Sequence, residues 1–497
     1  MATPIPNNRC RFRLGEILAC TGGQLVAGAV SEVEGLCLDT RQITGGEVFV
    51  ALVGERVDGH DYLPQARANG AALAIVERDV ELPEGLAVVR VPSSGDALAA
   101  LAASHLARWR HASPDRRVLA LTGSAGKTTT KECIAALLRG AVGDAAVVAT
   151  IGNLNNLIGV PMMLLTLGDE ARLAVIEMGT NAVGEIPRLA RLVRPDMGLV
   201  NLIAAAHTEG IGGIDAIARE KNSLFDELPA SGSVALGNAD DPRVMAGMMR
   251  ANAARRVSYG HAEGASYRVL ARRPTEDLRS MVELQRPDGS RLEATIPLLG
   301  SVGATTFAAG VAAAECLLER RLGREEVEAS LAQVVQQSAG RMQPRRGPGD
   351  MLVIDDSYNA NPASMRASLA TAAELAKHLG RRLVVVLGEM RELGEESLEA
   401  HRSLGASLAS HDAALVIGVA GDARHIVAEV EGALFAEDAE EAAAMARTRC
   451  QPRDVVLVKG SRGVTTEVVV RALVAAPTGS GAPGKSTEGH CAAGGAP

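Results

Sequence analysis

Residues 118–130 read VLALTGSAGKTTT, an apolar run followed by a Gly-rich turn and a Lys-Thr pair. The apolar run is typical of a buried strand, and the residues after the turn have a helical pattern. Glycines let successive backbone N–H groups face phosphate oxygens, and the positive end of the following helix adds to the attraction. In such a loop Lys127 neutralises phosphate charge and the Thr128 hydroxyl can hold Mg²⁺. The predicted triphosphate contacts are Gly123, Ser124, Ala125, Gly126, Lys127, Thr128 and Thr129.

The stretch departs from the usual phosphate loop in one respect. The common pattern has a glycine at the position that Leu121 occupies here, so this loop is shorter. A strand-to-helix turn that merely contains Gly-Lys-Thr stays open as an alternative. The strand before the turn and the helix after it favour the nucleotide site.

Length and composition limit the class of protein. At roughly 150 residues per domain, 497 residues suggest about three domains. Hydrophobic residues are 47% and charged residues 22%, which excludes wholesale disorder. A net charge of -8 and only 2% aromatic residues argue against nucleic acid as a partner. No uninterrupted apolar run reaches the roughly 18 residues of a membrane span, and the seven cysteines form no CxxC pair. We expect a cytoplasmic monomer without membrane insertion.

Alternating strand and helix patterns predict an α/β protein of three domains. We place a small α/β N-terminal domain at 1–114 and a central, P-loop-containing parallel-sheet ATPase domain at 115–339. A C-terminal Rossmann-like domain follows at 340–475. The tail 476–497 is Gly, Ala, Ser and Pro with little apolar bulk, so we predict that it is disordered.

Polar residues follow several predicted strands, where the carboxyl ends of a parallel sheet line a ligand crevice. Glu177 and His207 follow two strands of the central domain, and residues 355–362 follow one in the last domain. His207 alone could be a capping or core residue, and its position beside the phosphate loop favours contact with a metal or substrate. Lys221 lies in a helical pattern, and from the residues alone it is best interpreted as a solvated surface lysine.

Ten stretches together carry a resemblance to a known family. They are residues 38–41, 49–52, 54–61, 122–128, 152–156, 159–161, 177–179, 204–207, 355–362 and 458–462. With them the chain, from about Cys37 to Leu473, resembles the Mur ligases, ATP-dependent amide-forming enzymes of peptidoglycan precursor synthesis. The stretches 153–156 and 355–361 favour the member that adds D-alanyl-D-alanine to UDP-N-acetylmuramoyl-tripeptide. The resemblance thus implies a role in cell-wall biogenesis, cell shape and division.

The resemblance also implies roles for individual residues. Lys127 and Thr128 would bind ATP and one Mg²⁺, and Glu177 and His207 would surround a second Mg²⁺. Lys221 matches a family lysine that carries a carbamate, which replaces the surface interpretation. The remaining assignments are Arg341, Asp356 and Asn359 to ATP, Asp39, Thr40 and Arg41 to UDP, and Asn153, Asn155 and Asn361 to the substrate.

One stretch departs from the family pattern. The family has His and Asn, and a second Asn three residues on, where this chain has Val302, Gly303 and Thr306. The amide contacts expected at adenine are therefore missing, so either other groups hold the base or nucleotide affinity is reduced. Two other functions remain open: another Mur-type or folylpolyglutamate-type ligase, and a nucleotide-binding regulatory protein without turnover. The sequence leaves open whether the acceptor peptide ends in lysine or diaminopimelate.

Overall fold

The computed structural model describes residues 3–205, 208–332, 334 and 339–474. The architecture is mixed α/β, with three large sheets that follow one another along the chain. Three domains were expected, and this architecture confirms that fold class; the boundaries between the domains stay a prediction. The predicted tail, 476–497, lies outside the described residues.

The N-terminal region contains a five-stranded sheet in the order β2-β7-β6-β5-β4 and a separate β1–β3 pair. Its strands are β1 Arg11–Arg13, β2 Gln24–Ala27, β3 Glu32–Glu34, β4 Leu36–Cys37, β5 Val48–Val50, β6 Leu73–Val76 and β7 Ala87–Arg90. Its helices are α1 Leu14–Thr21, α2 Leu63–Ala68 and α3 Ser94–His111. Strands β4 to β7 pair in parallel, and β6 is buried along its whole length.

The central region is built on a nine-stranded sheet in the order β16-β15-β14-β13-β12-β11-β8-β10-β9. Its strands are β8 Arg117–Thr122, β9 Val147–Ala149, β10 Leu173–Glu177, β11 Met197–Val200, β12 Val234–Asn238, β13 Arg255–Gly260, β14 Tyr267–Pro274, β15 Ser280–Gln285 and β16 Arg291–Ile296. Its helices are α4 Lys127–Val142, α5 Gly159–Leu165, α6 Glu185–Val193, α7 Thr208–Ile211, α8 Ile214–Asp226, α9 Pro242–Arg250, α10 Gly300–Leu318 and α11 Arg324–Leu331.

The central sheet confirms the predicted parallel strands and adds an antiparallel part that the sequence did not indicate. Strands β8 to β13 pair in parallel, as expected. Strands β14, β15 and β16 form an antiparallel extension. In β15 buried and half-buried residues alternate, as they do when one face of a strand packs on the core and the other is partly solvated.

The C-terminal region has a six-stranded sheet in the order β17-β18-β22-β19-β20-β21, parallel except for β17. Its strands are β17 Gln343–Gly347, β18 Met351–Asp356, β19 Leu383–Gly388, β20 Ala413–Val419, β21 Leu434–Ala436 and β22 Val455–Lys459. Its helices are α12 Pro362–Leu379, α13 Ser397–Leu408, α14 Arg424–Val427, α15 Ala439–Arg449 and α16 Glu467–Val474.

Helix α3 joins the N-terminal and central regions. It packs on α5, and it carries Trp109, the one tryptophan of the sequence. The Trp109 indole is buried, donates a hydrogen bond to the Ala171 carbonyl at 3.1 Å and lies 5.2 Å from the Arg116 guanidinium. This indole therefore fixes the junction between the two regions.

Helix α10 is the one helix in the described part of the chain with the length and apolar character to span a membrane. Most of it is buried in the protein: Phe307, Val311 and Ala312 belong to the core that α10 shares with α4 and the central sheet. The helix is small-residue rich, and Gly310 approaches Cys133 so closely that a Cβ would lie 2.5 Å from the Cys133 sulfur. These contacts are those of a core helix.

Candidate active site

A cavity of about 710 Å³ opens between the central and C-terminal sheets. The loop after β8 and the ends of β10 and β12 line one wall, and residues after β18 and β22 line the other. Carboxyl ends of parallel strands from two sheets therefore face one another, which is where α/β proteins bind ligands.

The Gly-rich turn has the strand, loop and helix that the sequence predicts. Gly126 precedes α4 with a φ of 77°, and a Cβ at Gly123 would lie 3.0 Å from the Asn201 Cβ. Lys127 Nζ donates to the Gly123 carbonyl at 2.9 Å across the loop. Burial lowers the pKa of the Lys127 ammonium; the Arg341 guanidinium acts in the same direction, and Glu177 opposes it. The N-terminus of α4, Lys127 and Arg341 all line the same cavity.

Glu177 ends β10 beside this loop. Its Oε1 accepts a hydrogen bond from Asn155 Nδ2 at 2.8 Å, and its backbone N–H donates to Thr150 Oγ1 at 2.9 Å. Its Oε2 is buried and has no hydrogen-bond partner among the described residues. A buried carboxylate oxygen without a donor is costly, and a cation would compensate it.

Lys221 lies on α8 and is only 1% exposed, so its interpretation as a surface lysine is wrong. Burial lowers the pKa of the Lys221 ammonium to about 7; the charge of Lys127 acts in the same direction and Glu220 opposes it. Burial therefore favours the neutral amine over the ammonium. His207 lies outside the described residues. Within the described ranges no three His, Cys, Asp or Glu side chains form a metal cluster.

Two predicted residues of the C-terminal wall bond mainly to their own domain. Asp356 Oδ2 accepts from Lys459 Nζ at 2.6 Å, and its Oδ1 accepts from the Met342 N–H at 3.0 Å. The Asn359 backbone carbonyl accepts a hydrogen bond from Lys459 Nζ at 2.9 Å. Both predicted residues line the cavity, and the Asp356–Lys459 pair holds the ends of β18 and β22 together.

Asn361 connects the two walls. Its side-chain oxygen caps α12 by accepting from the Ser364 N–H at 2.8 Å. Its Nδ2 donates to the Ser124 carbonyl in the phosphate loop at 3.1 Å. One amide thus fixes a helix start in one domain and contacts the predicted triphosphate site in the other.

Two arginines stack on one ring of the C-terminal wall. The guanidinium carbons of Arg341 and Arg462 lie 4.0 and 5.3 Å from the centre of the Tyr358 ring. Arg341 was assigned a role from the resemblance, whereas Arg462 and Tyr358 were assigned none. Tyr358 and Arg462 follow the ends of β18 and β22, a position that they share with several other polar residues and that does not single them out.

The predicted UDP residues lie apart from the cavity. Asp39 forms an ion pair with Arg41 at 2.6 Å and caps the short turn that contains the buried Thr40. None of the three lines the cavity, whereas Asn153 and Asn155 do. The structure therefore places Asn153 and Asn155 at the cavity. The three predicted UDP residues stay in the N-terminal region.

The residues that depart from the expected adenine pattern also line the cavity. Val302, Gly303 and Thr306 all line it at the start of α10. A Cβ at Gly303 would lie 2.8 Å from the Leu298 carbonyl carbon, so an asparagine does not fit here without a backbone shift. Asn201, which no sequence pattern indicated, lies beside the phosphate loop: its Nδ2 donates to Thr130 Oγ1 at 3.0 Å, and its Oδ1 accepts from the Tyr259 hydroxyl at 3.1 Å.

Comparison with known proteins gives the family. Three models match: "Mur ligase family, catalytic domain" at residues 32–106, "Mur ligase middle domain" at 121–314 and "Mur ligase, glutamate ligase domain" at 340–462. The UDP-N-acetylmuramoyl-tripeptide–D-alanyl-D-alanine ligase of Escherichia coli is 36% identical over 93% of this chain and 98% of its own. The ligase of the same name from Haemophilus influenzae is 31% identical over 90% of this chain and 95% of its own.

The chain belongs to the Mur ligase family.

Solved structures of Mur ligases agree. MurF from Acinetobacter baumannii superimposes with a TM-score of 0.83 at 28% identity over 94% of this chain and 99% of that one. MurF from Thermotoga maritima, in complex with ADP, superimposes with a TM-score of 0.76 at 28% identity, over 88% of this chain and 96% of that one. A folylpolyglutamate synthase from Mycobacterium tuberculosis gives 0.55 at 18% identity, which shows a common fold alone. The Mur ligase resemblance is confirmed, and with it an ATP-dependent, ADP-forming peptide ligase.

Proposed function

We propose that this Mur ligase joins D-alanyl-D-alanine to UDP-N-acetylmuramoyl-tripeptide, with conversion of ATP to ADP and phosphate. The product is the UDP-linked pentapeptide precursor of peptidoglycan. The observation that carries this proposal is the 36% identity to a ligase of that name along 93% of the chain. The cleft between two sheets, with a phosphate loop on one wall, supports it.

The reaction proceeds in two steps. A carboxylate oxygen of the tripeptide attacks the γ-phosphorus of ATP, which releases ADP and leaves an acyl phosphate. The amine of D-alanyl-D-alanine then attacks the acyl carbon, and the tetrahedral intermediate expels phosphate as the amide forms and the amine loses a proton. Catalysis here is mainly positioning and charge stabilisation.

The phosphate loop supplies the stabilising charges in this proposal. Backbone N–H groups of 123–129 and the Lys127 ammonium bind the β- and γ-phosphates, and the Arg341 guanidinium reaches them from the other wall. The electrostatic coupling of Arg341 to Lys127 supports this placement. Asp356 and Asn359 complete the ATP site, with Asp356 acting through its ion pair with Lys459.

Two Mg²⁺ ions would be held by Thr128, Glu177, His207 and Lys221, and they would neutralise phosphate charge. The buried, unpartnered Glu177 Oε2 fits a cation. A neutral Lys221 amine adds CO₂ to give a carbamate and one released proton. The carbamate is an anionic oxygen ligand, whereas an ammonium would repel Mg²⁺. The lowered pKa of Lys221 supports this chemistry.

The remaining predicted residues would bind the two substrates. Asn153, Asn155 and Asn361 would contact the tripeptide and the incoming dipeptide, and Asp39, Thr40 and Arg41 would bind UDP. We further propose that the enzyme is a cytoplasmic monomer that binds no nucleic acid and does not enter the membrane.

Phosphate release tests the function. With ATP and UDP-N-acetylmuramoyl-tripeptide present, we expect release to depend on D-alanyl-D-alanine and mass spectrometry to show the pentapeptide product. A panel of single D- and L-amino acids, and of lysine- and diaminopimelate-containing tripeptides, identifies the substrates. Nucleotide binding without turnover would instead favour a regulatory protein.

A further inference from the structure

The second substrate of the proposed reaction has a charged group that the reaction does not consume. D-alanyl-D-alanine reacts through its amine, and its terminal carboxylate has to be desolvated as the cleft takes it in. A buried carboxylate needs a cation or several hydrogen-bond donors. The identity of the side chain that supplies this cation is an inference that rests on the proposed function.

Five lysine or arginine side chains among the described residues line the cavity. They are Lys127, Arg341, Arg391, Lys459 and Arg462. Two of them already have carboxylate partners: Lys459 with Asp356 at 2.6 Å and Arg391 with Glu389 at 2.9 Å. Their charges are compensated within the C-terminal domain.

Two of the remaining three belong to the phosphate site. Lys127 lies in the Gly-rich loop, and Arg341 is electrostatically coupled to it. That leaves Arg462, which forms no ion pair with an acidic side chain in the described part of the chain. It is the uncompensated cation on the wall opposite the loop.

Arg462 lies on the cleft wall beside the arginine that we assign to phosphate. Its guanidinium and that of Arg341 both lie against the Tyr358 ring, at 5.3 and 4.0 Å. The amine and carboxylate of an extended dipeptide are about 7 Å apart. A dipeptide whose amine attacks the acyl carbon therefore has its carboxylate several Å from the reacting centre, so the partner of that carboxylate is a cation outside the phosphate site.

We infer that Arg462 binds the terminal carboxylate of D-alanyl-D-alanine. Tyr358 holds the planar guanidinium, which leaves its N–H edge free for a bidentate contact. Ser461, buried beside it, has its hydroxyl taken by the Arg391 N–H at 2.9 Å, so it orients the loop rather than the ligand.

The test compares D-alanyl-D-alanine with D-alanyl-D-alaninamide, which lacks the negative charge. For the wild type we expect a KM for the amide about 10 to 100 times that for the acid, the range expected for a charged hydrogen-bonded pair. In Arg462→Ala the KM for the acid should rise to that of the amide. The KM for the amide and the calorimetric affinity for ADP should stay within about threefold.

Controls separate the outcomes. Arg462→Lys keeps a point charge and should retain part of the preference for the acid over the amide. This variant also provides a test if Arg462→Ala folds poorly. Arg402→Ala, which removes an exposed arginine of α13, should retain the whole preference for the acid. A preserved acid preference in Arg462→Ala, a preference lost instead in Arg391→Ala, or a tenfold loss of ADP affinity would overturn the inference. A wild type that does not ligate D-alanyl-D-alanine would overturn the proposed function itself.

Discussion

The two ends of the cleft differ in how their polar groups are held. At the phosphate end, side chains are fixed by bonds from distant parts of the chain: Asn155 holds Glu177, and Asn361 of the C-terminal domain reaches Ser124. At the start of α10, which we call the base end because the family pattern places adenine contacts there, Gly303 has no side chain and Thr306 presents one small hydroxyl. With this proposed placement of the nucleotide, more fixed polar side chains are available for the phosphates than for the base.

The largest effect is expected at the phosphate end. Lys127→Ala removes charge that stabilises the transferring phosphoryl group, so kcat should fall about a thousandfold or more. Phosphate release measures this fall in kcat, and Lys377→Ala, at an exposed position of α12, is the charge-matched control. Near wild-type turnover by a folded Lys127→Ala variant would contradict the assignment of this loop to triphosphate binding.

Lys221 gives the second test of the same end. Lys221→Ala should lose about a hundredfold or more in kcat, and acetate or another short carboxylate should restore part of it by supplying oxygen ligands. Titration of the variant with acetate, with chloride at equal ionic strength as control, measures the rescue. A fully active alanine variant would show that the buried amine is structural.

At the base end a smaller effect is expected. Without amide side chains, one or two hydrogen bonds of about 0.5 to 1.5 kcal/mol each are absent, so GTP should support turnover within roughly tenfold of ATP. Thr306→Asn should widen the preference for ATP, whereas Gly303→Asn should lower the melting temperature because it meets the Leu298 carbonyl. A thousandfold preference for ATP in the wild type would mean that other groups read adenine.

The smallest effect is expected for the C-terminal tail, which belongs to neither end of the cleft. Deletion of residues 477–497 should change neither melting temperature nor turnover, because this segment of Gly, Ala, Ser and Pro has little apolar surface to bury. Thermal denaturation and phosphate release check it. A large fall in either quantity would show that the tail contributes to the folded enzyme.

How far the sequence predicts the molecule depends on whether a feature is local. The phosphate loop was predictable because strand, glycines and helix are consecutive. The antiparallel strands β14 to β16 were missed because alternation in short segments does not reveal strand direction. The burial of Lys221 and the two arginines on Tyr358 come from tertiary packing between distant segments, which residue patterns do not encode. The resemblance to Mur ligases supplied Lys221, and no signal singled out Arg462.

The single tryptophan has a practical consequence for anyone who studies this enzyme. Trp109 is the only indole fluorophore, and it is buried where helix α3 meets the central region rather than at the cleft. Its emission therefore monitors the integrity of that junction during unfolding. A nucleotide titration that leaves the emission unchanged would carry no information about occupancy of the cleft, so binding studies need calorimetry or an introduced probe.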